Sequence, residues 1–249
     1  MNRYQDYLSS DEREVTKWER STRPVVLKSA RLVQSRFKSG GGKVLDIGCG
    51  YGFFLREMMS RGWEVEGIEI SAAGKKIAQE RWGMRVHSGP LEAVSLPRDS
   101  FHAVTLFYVI EHIPDPIQLL RSVHRILRPD GVLLLRWPHT TPLVKLMGPF
   151  SRRLDLYHTP YHLYDFSPET MRRLLGQTGF EEIQTVVGGH TTPTARIGRW
   201  ASVTSGKLAE AVEGISRGRI LLPGVSKTTI ARKGRGWSRG VNPPSRINL

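Results

Sequence analysis

At 249 residues, 39% of them hydrophobic, the chain is long enough to bury a full core, and one α/β domain with insertions is the natural expectation. No apolar run reaches membrane-spanning length and the N-terminus lacks the apolar core of a signal peptide. The one cysteine, Cys49, excludes an internal disulfide and a cysteine-based zinc cluster, which fits a reducing cytoplasm. The formal net charge of +14 gathers toward the end: from Arg196 onward there are eleven Lys or Arg against Glu210 and Glu213. Such a segment favours an anionic surface (phospholipid, a phosphorylated substrate or nucleic acid) or simply keeps the chain soluble, and composition does not choose between them.

Taken in chain order, residues 1–40 read as helical. Asp11 caps a first helix, Pro24 starts a second, and Val26, Leu27, Ala30, Val33 and Phe37 give the second an apolar face. Val44 to Ile47 reads as a buried strand that runs into a glycine turn and a helix. Gly48, Gly50 and Gly52 bring backbone N–H groups and a helix N-terminus close to a ligand, which a Cβ at any of them would hold off. Asp46, two residues before the first glycine, is placed to meet a cationic ligand. A dinucleotide fingerprint needs a third glycine where Phe53 stands, so a nicotinamide cofactor is a poor fit. Phe53, Phe54, Leu55, Met58 and Met59 form a helical stripe ended by Gly62, and an alternating strand from Trp63 to Ile70 follows. That strand delivers Glu69 about twenty residues past the turn, where doubly wound folds place a ribose-binding carboxylate.

Ser71 caps a helix ending at Gly83, and Met84–His87 is a third strand leading to Gly89-Pro90-Leu91-Glu92. Phe101–Phe107 is a fourth strand. Asp115 caps and Pro116 opens a helix with Leu119, Leu120, Val123, Ile126 and Leu127 on one face. Arg128–Gly131 turns the chain into a fifth strand, Val132–Leu135. Residues 138–166, rich in Pro, His and Tyr, are too long for an idle loop and interleave Leu143, Val144, Leu146, Met147, Phe150 and Leu154 with Lys145, Arg152 and Arg153. They suit a substrate cap, packed on its own domain or touching a membrane surface. Ser167-Pro168-Glu169 starts a helix ended by Gly179, Phe180–Val187 is a sixth strand, and Thr228–Lys233 closes the sheet as an antiparallel seventh. Residues 189–227 are thus a second insertion, in which Leu208, Ala211, Val212 and Ile215 mark an amphipathic helix. Residues 234–249 have no apolar periodicity and read as a basic, disordered tail.

Asp46-Ile47-Gly48-Cys49-Gly50-Tyr51-Gly52 after a strand resembles motif I of the class I S-adenosylmethionine (SAM) methyltransferases. The segments Glu111-His112-Ile113-Pro114-Asp115-Pro116 and Leu127-Arg128-Pro129-Asp130-Gly131 resemble the group containing the ubiquinone-biosynthesis O-methyltransferases, and His162 to Ser167 with Gly179-Phe180 extends the likeness to about residue 188. The resemblance implies a Rossmann-like α/β fold: a seven-stranded sheet, its last strand antiparallel, with an N-terminal helical lid (1–40), a methyltransferase domain (41–233) and the two insertions. It implies S-adenosyl-L-methionine as cofactor, contacted by Asp46, Gly48, Cys49, Gly50, Gly52, Glu69, Ile70, Leu91 as adenine wall, and Phe107. Tyr4 and Tyr7 are candidates to close over it. In ubiquinone-pathway relatives the region matching the cap is associated with the membrane, so a cytoplasmic enzyme at a membrane periphery is one expectation.

Methyl transfer from a sulfonium is an in-line displacement, in which positioning alone can supply roughly 7–11 kcal/mol. An oxygen nucleophile of high pKa also needs a base, worth about 10²–10⁴-fold. His112, after the fourth strand, and His162, at the cap exit, are the candidates, with His158 a weaker third. The related quinone O-methyltransferases can hold a divalent metal with an acid three positions before the Glu-His pair. That position is Tyr108 here, and Glu111 with His112 alone makes a poor metal site, so no metal is expected and a catechol acceptor is less favoured. Attack at cytosine C5 needs a cysteine nucleophile, yet Cys49 belongs to the cofactor turn. DNA amino-methylation needs Asp/Asn-Pro-Pro-aromatic where Phe107-Tyr108-Val109-Ile110 stands. The expectation is a methyltransferase acting on a hydroxyl or amine of a small-molecule, lipid, quinone or saccharide acceptor; the alternative is an RNA-modifying enzyme or RNA-binding module using the basic tail.

Overall fold

The computed structural model describes residues 7–38, 40–141, 144, 148, 161–189, 196–216, 221–222 and 225–235, without the side chains of 196–202. Tyr4, His158, most of the apolar and basic residues of the 138–166 segment, and 236–249 lie outside the described residues.

Seven strands form one sheet in the order β3-β2-β1-β4-β5-β7-β6. These are β1 (Lys43–Ile47), β2 (Glu64–Glu69), β3 (Arg85–Ser88), β4 (Phe101–Phe107), β5 (Leu127–Trp137), β6 (Phe180–Val186) and β7 (Lys227–Lys233). The first five are mutually parallel, and β7 inserts antiparallel between β5 and β6. Both faces of the central strands are buried, which explains their continuous apolar runs. Leu45, Ile47, Val104, Leu106, Leu133 and Leu135 face one core with helices α4 (Pro116–Ile126) and α5 (Pro168–Gln177). Val44, Ala103, Val132 and Leu134 face the other, with α1 (Glu12–Gln34), α2 (Phe53–Ser60) and α3 (Ala72–Trp82). A further helix, α6, spans Arg196–Ile215.

Helix caps follow the sequence: Asp11, Ser71, Asp115 and Ser167 each accept a backbone N–H of the first turn. Four expectations are corrected. Residues 12–34 form one helix, with Pro24 inside it. Val15 and Val25, Ala30 and Val33 are buried on either side of the proline, and that burial outweighs a cost of about 3 kcal/mol for proline in a helix interior. Arg128–Gly131 does not precede β5 but bulges from it: Phe101 pairs with Leu127 and Ala103 with Val132. Met59 leaves the α2 stripe and is 40% exposed, because it follows Met58 by a third of a turn. The α6 stripe also faces outward, with Leu208 60% and Ile215 87% exposed. Its docking is polar instead: Glu210 meets Lys28 at 2.9 Å and Glu213 accepts the Val187 N–H.

Candidate active site

The glycine turn leaves the end of β1, and its residues serve different purposes. Gly48, Gly50 and Gly52 all adopt positive φ (74°, 54° and 79°). A Cβ on Gly48 would meet Val109 Cγ2 at 2.5 Å, and one on Gly52 would meet Met84 Sδ at 2.8 Å. Gly50 alone of the three has room, its nearest neighbour being Leu8 Cδ1 at 3.8 Å. The expectation that all three glycines clear space for a ligand is therefore corrected: two admit neighbouring side chains and Gly50 opens to the cofactor side. Cys49 is buried, its Sγ 2.6 Å from where a Cβ on Gly67 would sit, and burial pushes its thiol well above the ordinary range. It is a packing residue and no nucleophile.

Asp46 pairs in register with Gly67 and Thr105, and its Oδ1 accepts the Thr105 hydroxyl at 2.7 Å. Burial raises its pKa to about 8 despite that bond. A buried carboxyl of this kind is stabilised as an anion by a cationic ligand. Glu69 accepts the Gly50 N–H at 2.6 Å through Oε2 and the Ser71 N–H at 2.7 Å through Oε1. Burial raises its pKa, while those amides and the Tyr7 hydroxyl pull the other way. Tyr7 and Leu8 thus lie across the turn, with Tyr51 donating to the Ser9 carbonyl at 2.7 Å. Beside Glu69 a cavity of about 680 Å³ is lined by Ile70, Ser71, Lys75, Ser88, Gly89 and Pro90. Its size suits a nucleoside-bearing ligand. Leu91 does not line it: the side chain is 3% exposed and packs in the main core, leaving Pro90 and Gly89 as the wall. Phe107 packs at a tilt against Phe54, with centroids 5.0 Å apart.

A second cluster lies at the ends of β4 and β5. Tyr108 takes a positive φ of 57° and leads into a one-turn 3₁₀ helix, Ile110–His112. The Glu111 carbonyl accepts the N–H groups of Leu163 and Tyr164, and His112 Nδ1 lies 2.8 Å from the Tyr161 carbonyl. These bonds tie the cap exit to the β4 loop and bring the His112 and His162 rings to 4.8 Å. Glu111 is fully buried, with neither carboxylate oxygen hydrogen-bonded, and burial followed by the Asp165 charge raises its pKa to about 8. One ligand atom from each of Glu111, His112 and His162 lies within 4.8 Å of the others. The expectation of no metal rested on Glu111 and His112 standing alone, and His162 joins them.

Sequence reasoning missed three neighbours. Arg136, 1% exposed, donates through Nε to Tyr108 Oη at 2.8 Å and also to the carbonyls of Gly188 and Gly189. Lys227 is buried, donates to the carbonyls of Leu222 and Val225, and has its pKa lowered to about 8 by burial and the Arg136 charge. His139 has a buried Nδ1 without a partner and is held below the usual imidazole range, first by burial and then by Lys227. An arginine inside the otherwise apolar run Val132–Trp137 was the available signal; Lys227, at the start of β7, carried none.

A parallel sheet with this order, closed by an antiparallel β7, an acid–glycine turn on β1 and a ribose-spaced carboxylate on β2 define a SAM-dependent methyltransferase. The profile of the family described as Methyltransferase domain matches residues 20–185, and the chain belongs to that family. A curated relative, "Ubiquinone biosynthesis O-methyltransferase" of Pseudomonas aeruginosa (strain LESB58), is 29% identical over 165 residues, 63% of this chain and 71% of that protein. Among solved structures, the fold is similar to a SAM-dependent methyltransferase, possible histamine N-methyltransferase, of Thermotoga maritima (TM-score 0.58, 20% identity, 89% of this chain and 97% of that one). It is also similar to Haemonchus contortus phosphoethanolamine N-methyltransferase 2 in complex with S-adenosyl-L-methionine (TM-score 0.56, 19% identity, 83% and 52%). The cofactor is S-adenosyl-L-methionine, and the chemistry around the turn is compatible with it: a buried acid, a carboxylate at the end of β2 and a cavity beside that carboxylate. No helix among the described residues is long and apolar enough to cross a membrane.

Proposed function

We propose that the enzyme transfers the SAM methyl group to a hydroxyl oxygen of a small organic acceptor, of the phenol or quinol kind, held between the β4 loop and the cap. The observation that carries this reading is the His112–His162 pair, whose rings stand 4.8 Å apart at the carboxyl ends of the parallel strands. Two imidazoles there ease removal of the hydroxyl proton as the oxygen attacks, the part of O-methylation that the sulfonium does not itself supply. The name of the Pseudomonas relative, an O-methyltransferase of ubiquinone biosynthesis, supports an acceptor of that kind. On the cofactor side Asp46, Gly50, Glu69 and Ile70 hold SAM, and Tyr7 and Leu8 form a strap over it.

The RNA reading is the weaker one. Part of the C-terminal positive charge is matched within the chain, since Arg232 meets Glu182, Lys233 meets Asp99 and Arg235 meets Asp130 at 3.1, 2.6 and 2.9 Å. The test uses methyl-labelled SAM with the purified enzyme and a fractionated extract of its source cells. Label in an organic-soluble phenolic product is expected. Label in nucleic acid would overturn the proposal and make the basic segment part of substrate recognition.

A further inference from the structure

Where β5 ends and β7 begins, the fold buries two cations side by side. Arg136 and Lys227 are both fully buried, on strands paired so that Arg136 stands opposite Thr228 and Trp137 opposite Lys227. Their hydrogen-bond partners are neutral. Arg136 donates to Tyr108 Oη, Thr228 Oγ1 and the carbonyls of Gly188 and Gly189, and Lys227 to the carbonyls of Leu222 and Val225. Like charges held together out of water are strongly disfavoured unless an anion balances them. The acids within reach are already engaged. Glu213, whose charge reaches Lys227, accepts the Val187 N–H, and burial favours its neutral form. Asp165, whose charge reaches His139, accepts the amides of Thr140 and Thr141.

Two polar groups there have bonding capacity left. An ammonium carries three N–H donors, and Lys227 uses two of them on its carbonyls. Close to it, His139 Nδ1 is buried without a partner, in a ring that burial and the Lys227 charge keep neutral and able to carry its proton on that nitrogen. The place belongs to the acceptor side of the molecule. Ser226, next to Lys227, accepts the Tyr108 hydroxyl from the β4 exit at 3.1 Å. Asp165, at the cap exit, reaches both Glu111 and His139 with its charge.

We propose that Lys227 and His139 form a subsite for a carboxylate carried by the methyl acceptor, which is then a hydroxyaryl acid rather than a neutral phenol. The inference rests on the reading of the acceptor as phenol-like, and deepens it. Lys227 gives its third N–H and His139 its Nδ1–H to the carboxylate oxygens, as charge-assisted bonds in a dry setting. Arg136, its donors largely engaged, adds the field of a second positive charge without touching the ligand. With the acid end of the acceptor fixed there, its hydroxyl end is left to the His112–His162 pair. SAM has a carboxylate of its own, and the test separates the two sources.

The test uses the full chain saturated with S-adenosylhomocysteine and matched pairs of phenols in which a carboxylate is exchanged for its near-isosteric carboxamide. The pairs are 4-hydroxybenzoate with 4-hydroxybenzamide, and 4-hydroxycinnamate with its amide. Calorimetric affinity should favour the acid by about tenfold or more in at least one pair. Lys227→Met, which keeps the buried stem, should remove that preference while leaving SAM affinity within twofold. His139→Phe should reduce the preference several-fold, and it is the variant to read if Lys227→Met does not fold. Equal binding of acid and amide in both pairs, or a preference that survives in every folded variant, overturns the inference. So does weakened SAM binding in Lys227→Met, which would assign the cations to the cofactor's carboxylate. The failure of either reading is recognisable by itself. Preferred binding of an acid whose hydroxyl is never methylated from SAM would keep the subsite and remove the O-methylation reading. Methylation of acid and amide with equal efficiency would keep that reading and remove the subsite.

Discussion

The two ends of the site are built on opposite principles. On the cofactor side the acids already have donors within the fold: Glu69 holds the amides of Gly50 and Ser71, and Asp46 holds the Thr105 hydroxyl. On the acceptor side Glu111 is buried with nothing to bond, and the histidines beside it depend on a distant segment for their placement. Satisfied groups keep the shape of a cofactor site before the cofactor arrives, while an unsatisfied acid marks where chemistry has been left open. The cofactor end therefore follows from a short stretch of sequence, and the acceptor end from contacts between residues some fifty positions apart, as with His112 and Tyr161.

The largest effects should come from the cofactor end. Asp46→Ala and Gly50→Val are expected to abolish SAM binding in calorimetry while the circular dichroism spectrum keeps its α/β form. Unchanged affinity in both would break the contrast at its root. Next, His112→Ala and His162→Ala should each lower turnover by about 10²–10⁴-fold with SAM affinity preserved. Loss of SAM binding in these variants would show the two ends to be one unit.

The third prediction concerns pH. Asp46 has a folded-state pKa of about 8, above its ordinary 3.8, so the cofactor-free fold keeps a proton that the unfolded chain releases. Its contribution is fully present below about pH 4 and is lost as pH rises toward 8, with a slope of at most about 1.4 kcal/mol per pH unit. Melting temperatures of the cofactor-free protein should fall across that window, and Asp46→Asn should flatten the fall. A rising profile in the wild type that Asp46→Asn leaves unaltered would contradict the burial argument. The smallest effect belongs to α6: Leu208→Lys, on an exposed face, should change stability by no more than about 0.5 kcal/mol in denaturant unfolding.

Strand positions, capping residues and the acid–glycine turn were legible because each is local. Asp11, Ser71, Asp115 and Ser167 cap through the first turn that follows them, and alternating apolar residues assign β1 and β4 to both cores. What escaped was set by partners remote in sequence. Nothing near Gly48 announces that Val109 will press on it, and nothing near Leu91 announces that the core will claim its side chain. His162 was a candidate on its own merits, but its meeting with Glu111 depends on two amides of the cap exit finding one carbonyl. Pro24 misled because local geometry argues for a break, whereas the apolar face continuing past it keeps the helix whole.

The place of β7 has a consequence for how the chain is made. Among the described residues it is the last strand in the sequence, yet it lies between β5 and β6, and β6 pairs with no other strand. As the polypeptide emerges from the ribosome, β1 to β5 can assemble in turn, but β6 must wait, with α5 already behind it, until Lys227–Lys233 follows. Until then the edge of β5 that becomes a buried interior is open to any passing strand. A nascent chain stalled before residue 227 should thus be captured by chaperones, and release of the final residues should free it in one cooperative step.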